Sequence, residues 1–199
     1  MNASIGTSQP RRPDEAAPLP PARRWISPLI VLLVIVAVVA GGYLVYGVLS
    51  EPTGPAVVVD GVGSVQPLSG WEVAGRGGID GHGYTRLSRG SGTLDVVAWG
   101  RATDGTTLAL AYRTALRSQL SQLQASDELQ PVSLRDGTSG VRFRYVGVVA
   151  GTGATVEGQA TCVVSPGGLG VVFDGWAPEG MLSFVDGDID TMVDRAVIG

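Results

Sequence analysis

Residues 26–49 read ISPLIVLLVIVAVVAGGYLVYGVL, 24 positions without a charged side chain. At about 1.5 Å per residue, a helix of that length spans about 36 Å, enough to cross a hydrocarbon core of about 30 Å with some tilt. Pro28 stands near its start, where a missing N–H costs least. Trp25 at one end and Tyr43 and Tyr46 toward the other suit the two membrane interfaces. The run predicts a transmembrane helix over residues 25–49, with the lipid bilayer as the partner of residues 26–49. Ala37 and Gly41 place small residues four apart, which permits close helix packing but is common in such helices.

Charge orients the helix. Residues 1–24 carry Arg11, Arg12, Arg23 and Arg24 against Asp14 and Glu15, a net +2; residues 50–199 carry ten arginines against sixteen acids, a net −6. The positive-inside rule then predicts a cytoplasmic N-terminus and an extracytoplasmic C-terminal part at the cell (inner) membrane. The rival reading is a signal peptide cleaved after Ala40, but the apolar run exceeds the usual h-region of about 7–15 residues. No cysteine stands at the end of the run, which excludes a lipoprotein anchor, and Arg23-Arg24 lacks the rest of a twin-arginine signal.

The remaining chain divides by composition. Residues 1–24 are rich in Pro, Ala and Arg, too poor in large apolar groups to offset ordering entropy, and predict a disordered cytoplasmic tail. Residues 50–69 contain Pro52, Pro55 and Pro67 and predict a tether, with a short strand possible at 56–60. Residues 70–199 predict one extracytoplasmic domain. Mean hydropathy of +0.24 beside a net charge of −4 follows from this division, because 19 of the 24 anchor residues are hydrophobic.

In the domain, strands are predicted at 71–73, 84–89 and 92–99, with residues 74–83 (AGRGGIDGHG) as a glycine-rich connection. The strongest helix signal follows. Asp104 or Thr106 caps it, and Leu108, Tyr112, Ala115, Leu116, Leu120 and Leu123 form its apolar stripe. Two segments alternate with period two: Val141, Phe143, Tyr145 and Val149 face one way, then Val156, Ala160, Cys162 and Val164. Turns at 150–154 and 165–168 join them to a third strand at 169–176, and a last helix is predicted over 188–198. This order is α+β with an antiparallel sheet.

The pattern of Gly70-Trp71, two short strands, one amphipathic helix, a three-strand meander reading GQATCVV and then GLGVVF, Ala177-Pro178 and a closing helix resembles the Mog1/PsbP-like family over most of residues 70–197. The resemblance implies an α/β/α sandwich around an antiparallel sheet. The family serves mostly as binding and assembly modules: a nuclear-transport GTPase partner, a photosystem subunit and actinobacterial envelope lipoproteins. It shares no catalytic set, so no site residues carry over. This chain differs from the envelope lipoproteins in its helix anchor and lacks markers of the nuclear and photosynthetic branches. All 14 basic residues are arginine, and with abundant Gly, Ala and Val the composition resembles that of actinobacterial proteins.

Composition excludes several functions. A net negative domain is not a polybasic nucleic-acid binder. A single cysteine, Cys162, excludes an internal disulfide framework and multi-cysteine metal sites. His82, the one histidine, lies beside Asp80, and a hydrolase arrangement with Ser88 or Ser91 is conceivable, but no Gly-x-Ser-x-Gly accompanies it and an exposed loop histidine is the plainer reading. Cys162 falls on an apolar strand face and reads as a core residue. Residues 186–190 (DGDID) begin like a calcium loop, yet Thr191 and Val197 stand where Gly and Glu are needed, so acids at a helix N-terminus explain them better. The glycines of 75–83 and 167–170 read as turns rather than phosphate loops. Arg142 and Arg144 read as a solvated face pairing with acids such as Glu157 across the hairpin. Trp71, Trp99 and Trp176 read as core or sheet-cover residues. No catalytic, cofactor-binding or metal-ligating residue and no cofactor is implied.

The resulting expectation is a non-catalytic, single-pass membrane protein presenting a binding or assembly domain to an envelope protein partner. The alternatives are a small-ligand or lipid carrier with a pocket of about 300–1,000 Å³ between sheet and helix and, behind it, a hydrolase using His82.

Overall fold

The computed structural model describes residues 31–39, 55–59 and 63–199. The chain divides into two units, Met1–Val45 and Tyr46–Gly199. In the first, residues 31–39 form a helical segment, α1, with exposed side chains. Among the described residues no helix is long and apolar enough to cross a membrane. The remainder of the expected anchor and the whole expected cytoplasmic tail lie outside the described residues.

The second unit is mixed α+β, and its strand pairing is antiparallel throughout the described residues. Two strands, β1 (Val57–Val59) and β2 (Gly63–Val65), come first. They lie within the expected tether, yet Val59, Val65 and Leu68 are buried. The folded unit therefore begins earlier than the prolines of residues 50–69 suggest, because apolar side chains between those prolines find a core to cover.

Strands β3 (Glu72–Ile79) and β4 (His82–Arg89) form a hairpin across Asp80-Gly81. Both turn residues have positive φ, 49° and 83°, the mirror-image turn whose twist matches that of the strands it joins. Most of the expected glycine-rich connection is thus strand. Its glycines hide the period-two signal, since they offer no side chain to alternate. Gly77 lies opposite Tyr84, and a Cβ there would overlap the Tyr84 ring and hydroxyl.

Strand β5 (Gly92–Arg101) leads to α2 (Gly105–Gln119), whose N-cap Asp104 accepts from the Thr107 N–H at 2.7 Å. Leu108, Ala109, Tyr112, Ala115 and Leu116 form its buried face. The helix does not continue to Leu123 as the apolar stripe predicts. Leu120 is already extended and opens β6 (Leu120–Ala125), where Gln122 takes φ 53° beside a register shift. Leu120 is buried there, so its hydrophobicity is equally consistent with helix and strand.

Strand β7 (Gln130–Ser133) pairs with β8 (Ser139–Val149), which leads through β9 (Thr155–Val164) to β10 (Leu169–Pro178) as the expected meander. The large sheet runs β3-β4-β5-β10-β9-β8-β6, with β7 also on β8. After a 3₁₀ turn, Leu182–Phe184, comes α3 (Asp186–Asp194). The last helix is shorter than expected: residues Val197–Ile198 form β11 and pair with β2, which makes a second sheet, β1-β2-β11. Gly63 permits this closure, since a Cβ would lie 2.6 Å from the Val197 carbonyl oxygen.

Both faces of the large sheet are buried. Val97, Phe143, Cys162 and Val172 pack with α2 on one side. Leu94, Val96, Val171 and Phe173 pack on the other with α3 and the small sheet. Each of these large side chains, fully buried, contributes about 1.5–3 kcal/mol.

Candidate functional site

Alternation along β5 sends Leu94 and Val96 to the α3 side, so Asp95 between them must face α2. The same logic on β10 turns Asp174 toward α2, since Phe173 faces the other way. Register then sets Asp95 directly opposite Asp174. Two carboxylates so placed repel each other, and the surrounding residues answer that cost. Arg86, opposite Asp95 on β4, grips it with two bonds of 2.7 Å, and Trp176 Nε1 donates to the same carboxylate at 3.1 Å. Asp174 accepts from the Tyr112 hydroxyl of α2 at 2.7 Å and from the Tyr145 hydroxyl of β8 at 2.8 Å.

Tyr145 reaches Asp174 across the intervening strand β9 because its register partner there is Gly158. A Cβ on Gly158 would overlap the Tyr145 ring. Arg86 is also framed by aromatic faces, with its guanidinium 5.0 Å from the Tyr84 ring centre and 5.3 Å from that of Trp176.

These polar groups form one wall of a partly open cavity of about 180 Å³ between α2 and the sheet. Ile79, Leu116, Leu120 and Val149 supply much of its apolar lining. Burial pushes the Asp174 carboxyl up to about 7; the Asp95 charge acts in the same direction, and the two tyrosine hydroxyls and Arg86 act against it. Tyr112 and Tyr145 are held well above the ordinary tyrosine range, by burial first and then by the Asp174 charge.

Of the residues singled out from sequence, Trp176 belongs to this group and the others lie elsewhere. His82 is half-buried and stacks on Trp99, ring centres 3.8 Å apart. Ser88 stands six residues along the same strand, about 20 Å away at 3.3 Å per residue, and Ser91 lies beyond it. The structure does not bring these groups together. Cys162 is buried on the α2 side, and burial raises its thiol pKa. The acidic run stands at the N-terminus of α3 as expected, with Asp186 and Asp188 in its first turn, but the N-cap is Val185 and no side chain caps the helix. Asp188 instead accepts from Trp71 Nε1 at 3.0 Å and from Arg89. Asp190 takes Gln159 Nε2 at 2.8 Å and Arg142 at 2.9 Å.

Arg142 therefore pairs with α3 rather than with Glu157, whose carboxylate accepts the Leu182 N–H. The face opposite Val141 and Phe143 is covered at Arg142, while Arg144 is exposed. Trp71 is buried, and Trp99 and Trp176 are half-buried. Glycines 167 and 168 turn the chain between β9 and β10, as expected.

Arg86, Asp95, Tyr112, Tyr145 and Asp174 do not stand out as a group in the sequence. The signal available was a lone acid inside each of two apolar strands, GTLDVVAW and GVVFDGW, since an acid is almost never fully buried without partners.

No protein-family model matches the chain, and no curated protein matches it. Among solved structures the chain is similar to the solution structure of cyanobacterial PsbP (CyanoP) from Synechocystis sp. PCC 6803, with a TM-score of 0.44 and 16% sequence identity over 75% of this chain and 100% of that one. At that score and identity the similarity carries no inference about ligands or partners.

Proposed function

We propose that this chain is a single-pass membrane protein whose C-terminal unit works outside the cytoplasm as a non-catalytic binding or assembly domain for an envelope partner. The observation that carries this reading is the uncharged run of residues 26–49 set between a +2 segment and a −6 segment. Tethering confines the domain to a thin layer and raises its effective concentration toward partners in the same layer. The resemblance to the Mog1/PsbP-like family supports a binding role. So does the chemistry of the cavity wall: both tyrosine hydroxyls donate to Asp174, and their raised pKa values set them up as donors rather than nucleophiles.

The test is topology. A C-terminal alkaline phosphatase fusion in a bacterial host is expected to be active, and the matching green fluorescent protein fusion dark. Deleting residues 26–49 is expected to move the chain out of the carbonate-resistant membrane fraction. A silent phosphatase with a bright fluorescent fusion overturns the orientation, and membrane retention after the deletion overturns the anchor.

The cavity favours a second reading, in which the domain also binds a small ligand. Its volume of about 180 Å³ falls below the roughly 300–1,000 Å³ of sites for drug-sized molecules, so the occupant is smaller than a lipid.

A further inference from the structure

The cavity specifies its occupant by size and by charge. A cavity of roughly 150 Å³ holds a benzene ring in another protein, so the 180 Å³ beneath α2 accommodates about one ring or its equivalent in methylenes. One part of its lining is apolar, with Ile79, Leu116 and Leu120. The other presents Arg86, Asp95 and Asp174, which sum to one negative charge when all are ionised.

The two acids differ in what they have left to give. Asp95 already accepts three hydrogen bonds, two from Arg86 and one from Trp176. Asp174 accepts one on each oxygen, and a carboxylate offers about four acceptor sites. Asp174 is buried, lines the cavity and faces Asp95 across the strand pair.

We propose, building on the small-ligand reading above, that this cavity binds a small organic cation: a protonated amine carried on an apolar body about one aromatic ring in size, with its ammonium directed to Asp174. A cation neutralises the excess charge, takes up the open acceptor sites and relieves the repulsion between the opposed acids. A neutral analogue gains only the apolar contact. An anion meets a net negative wall, because the charge of Arg86 is already committed to Asp95.

The titration of Asp174 agrees with this placement. Its carboxyl sits near 7, so a bound cation draws it toward the ionised form and binds better as pH rises. The groups that face it are Asp95 on β5, Arg86 on β4, Tyr112 on α2, Tyr145 on β8 and Cys162 on β9. The two tyrosines and the thiol stay neutral through this range.

The experiment uses the full chain in detergent micelles with ¹⁵N-labelled tryptophan. The Trp176 indole N–H, which lines the cavity and donates to Asp95, reports occupancy of the site rather than partition into the micelle. Benzylamine, benzyl alcohol and benzoate are titrated at pH 7.5. Benzylamine is expected to bind at least tenfold more tightly than benzyl alcohol, with no saturable shift from benzoate, and to tighten between pH 6 and pH 8. Asp174→Asn is expected to bring benzylamine to the affinity of the alcohol and to leave the alcohol within twofold. The ranking of the three probes is read on the unaltered protein, so it decides the matter even if the variant does not fold. Equal or tighter binding of benzyl alcohol, or of benzoate, overturns the cation assignment and leaves the small-ligand reading standing. No saturable shift from any probe overturns both.

Discussion

Asp174 is the residue whose chemistry depends most on its neighbours. Its carboxyl moves from an ordinary 3.8 to about 7, so the native state holds the proton more tightly than the unfolded chain does. The stability contributed by the protonated carboxyl is fully present below about pH 4 and is lost as pH rises through 7. Three units at about 1.4 kcal/mol each make this about 4 kcal/mol at most. Asp174→Asn removes the titration, so the melting temperature of the variant relative to the wild type is expected to climb between pH 5 and pH 8. A constant difference across that range rules the buried titration out. Tyr145→Phe deletes one of the two donors and is expected to cost about 1–3 kcal/mol at pH 8, where the unpaired carboxylate oxygen is charged; urea melts measure it. A lone acid in an apolar strand was visible in the sequence as an oddity. Its partners were not, because Tyr112 and Tyr145 also fit the apolar pattern of their elements and give no sign that their hydroxyls converge.

Among the elements, those with dense periodicity were readable and those built around glycine were not. Helix α2 and strands β8 and β9 repeat apolar side chains at 3.6 and 2 residues, and β10 follows across a clear glycine turn; α2 ends short of Leu123, and the three strands form near their expected bounds. Strand β3 carries Gly75, Gly77 and Gly78 and shows no alternation. Its pairing is secured instead by a mirror-image turn and by an aromatic ring from the next strand lying over Gly77. Gly158 plays the same part beneath Tyr145 on β9, so the same device recurs at two places in the large sheet. Gly158→Ala pushes a methyl group into that ring and is expected to cost about 1–3 kcal/mol. It should also displace the Tyr145 hydroxyl from Asp174, which the ¹⁵N signal of Trp176 on the neighbouring strand would register. A variant as stable as the wild type, with an unmoved indole signal, excludes the crossing of Tyr145 over β9.

Across the molecule, closure comes from segments that look peripheral in sequence. Residues 57–59, 63–65 and 197–198 form a sheet of their own over the α3 side of the large sheet. Leu68, inside the expected tether, is 1% exposed. Leu68→Ala in the full chain is therefore expected to cost about 2–5 kcal/mol, whereas a free tether would show no loss in a chemical melt. The sequence alone marked the uncharged run of 26–49, the charge asymmetry around it, one capped helix and three strands of a meander. Each of these is written in local spacing, which needs no knowledge of the rest of the chain. The opposition of Asp95 and Asp174, the reach of Tyr145 across β9, the capture of Arg142 by Asp190 and the turn of the C-terminus into a strand were settled only in the folded structure. They depend on the register between strands far apart in the chain, and a shift of one residue would turn every one of those side chains to the opposite face.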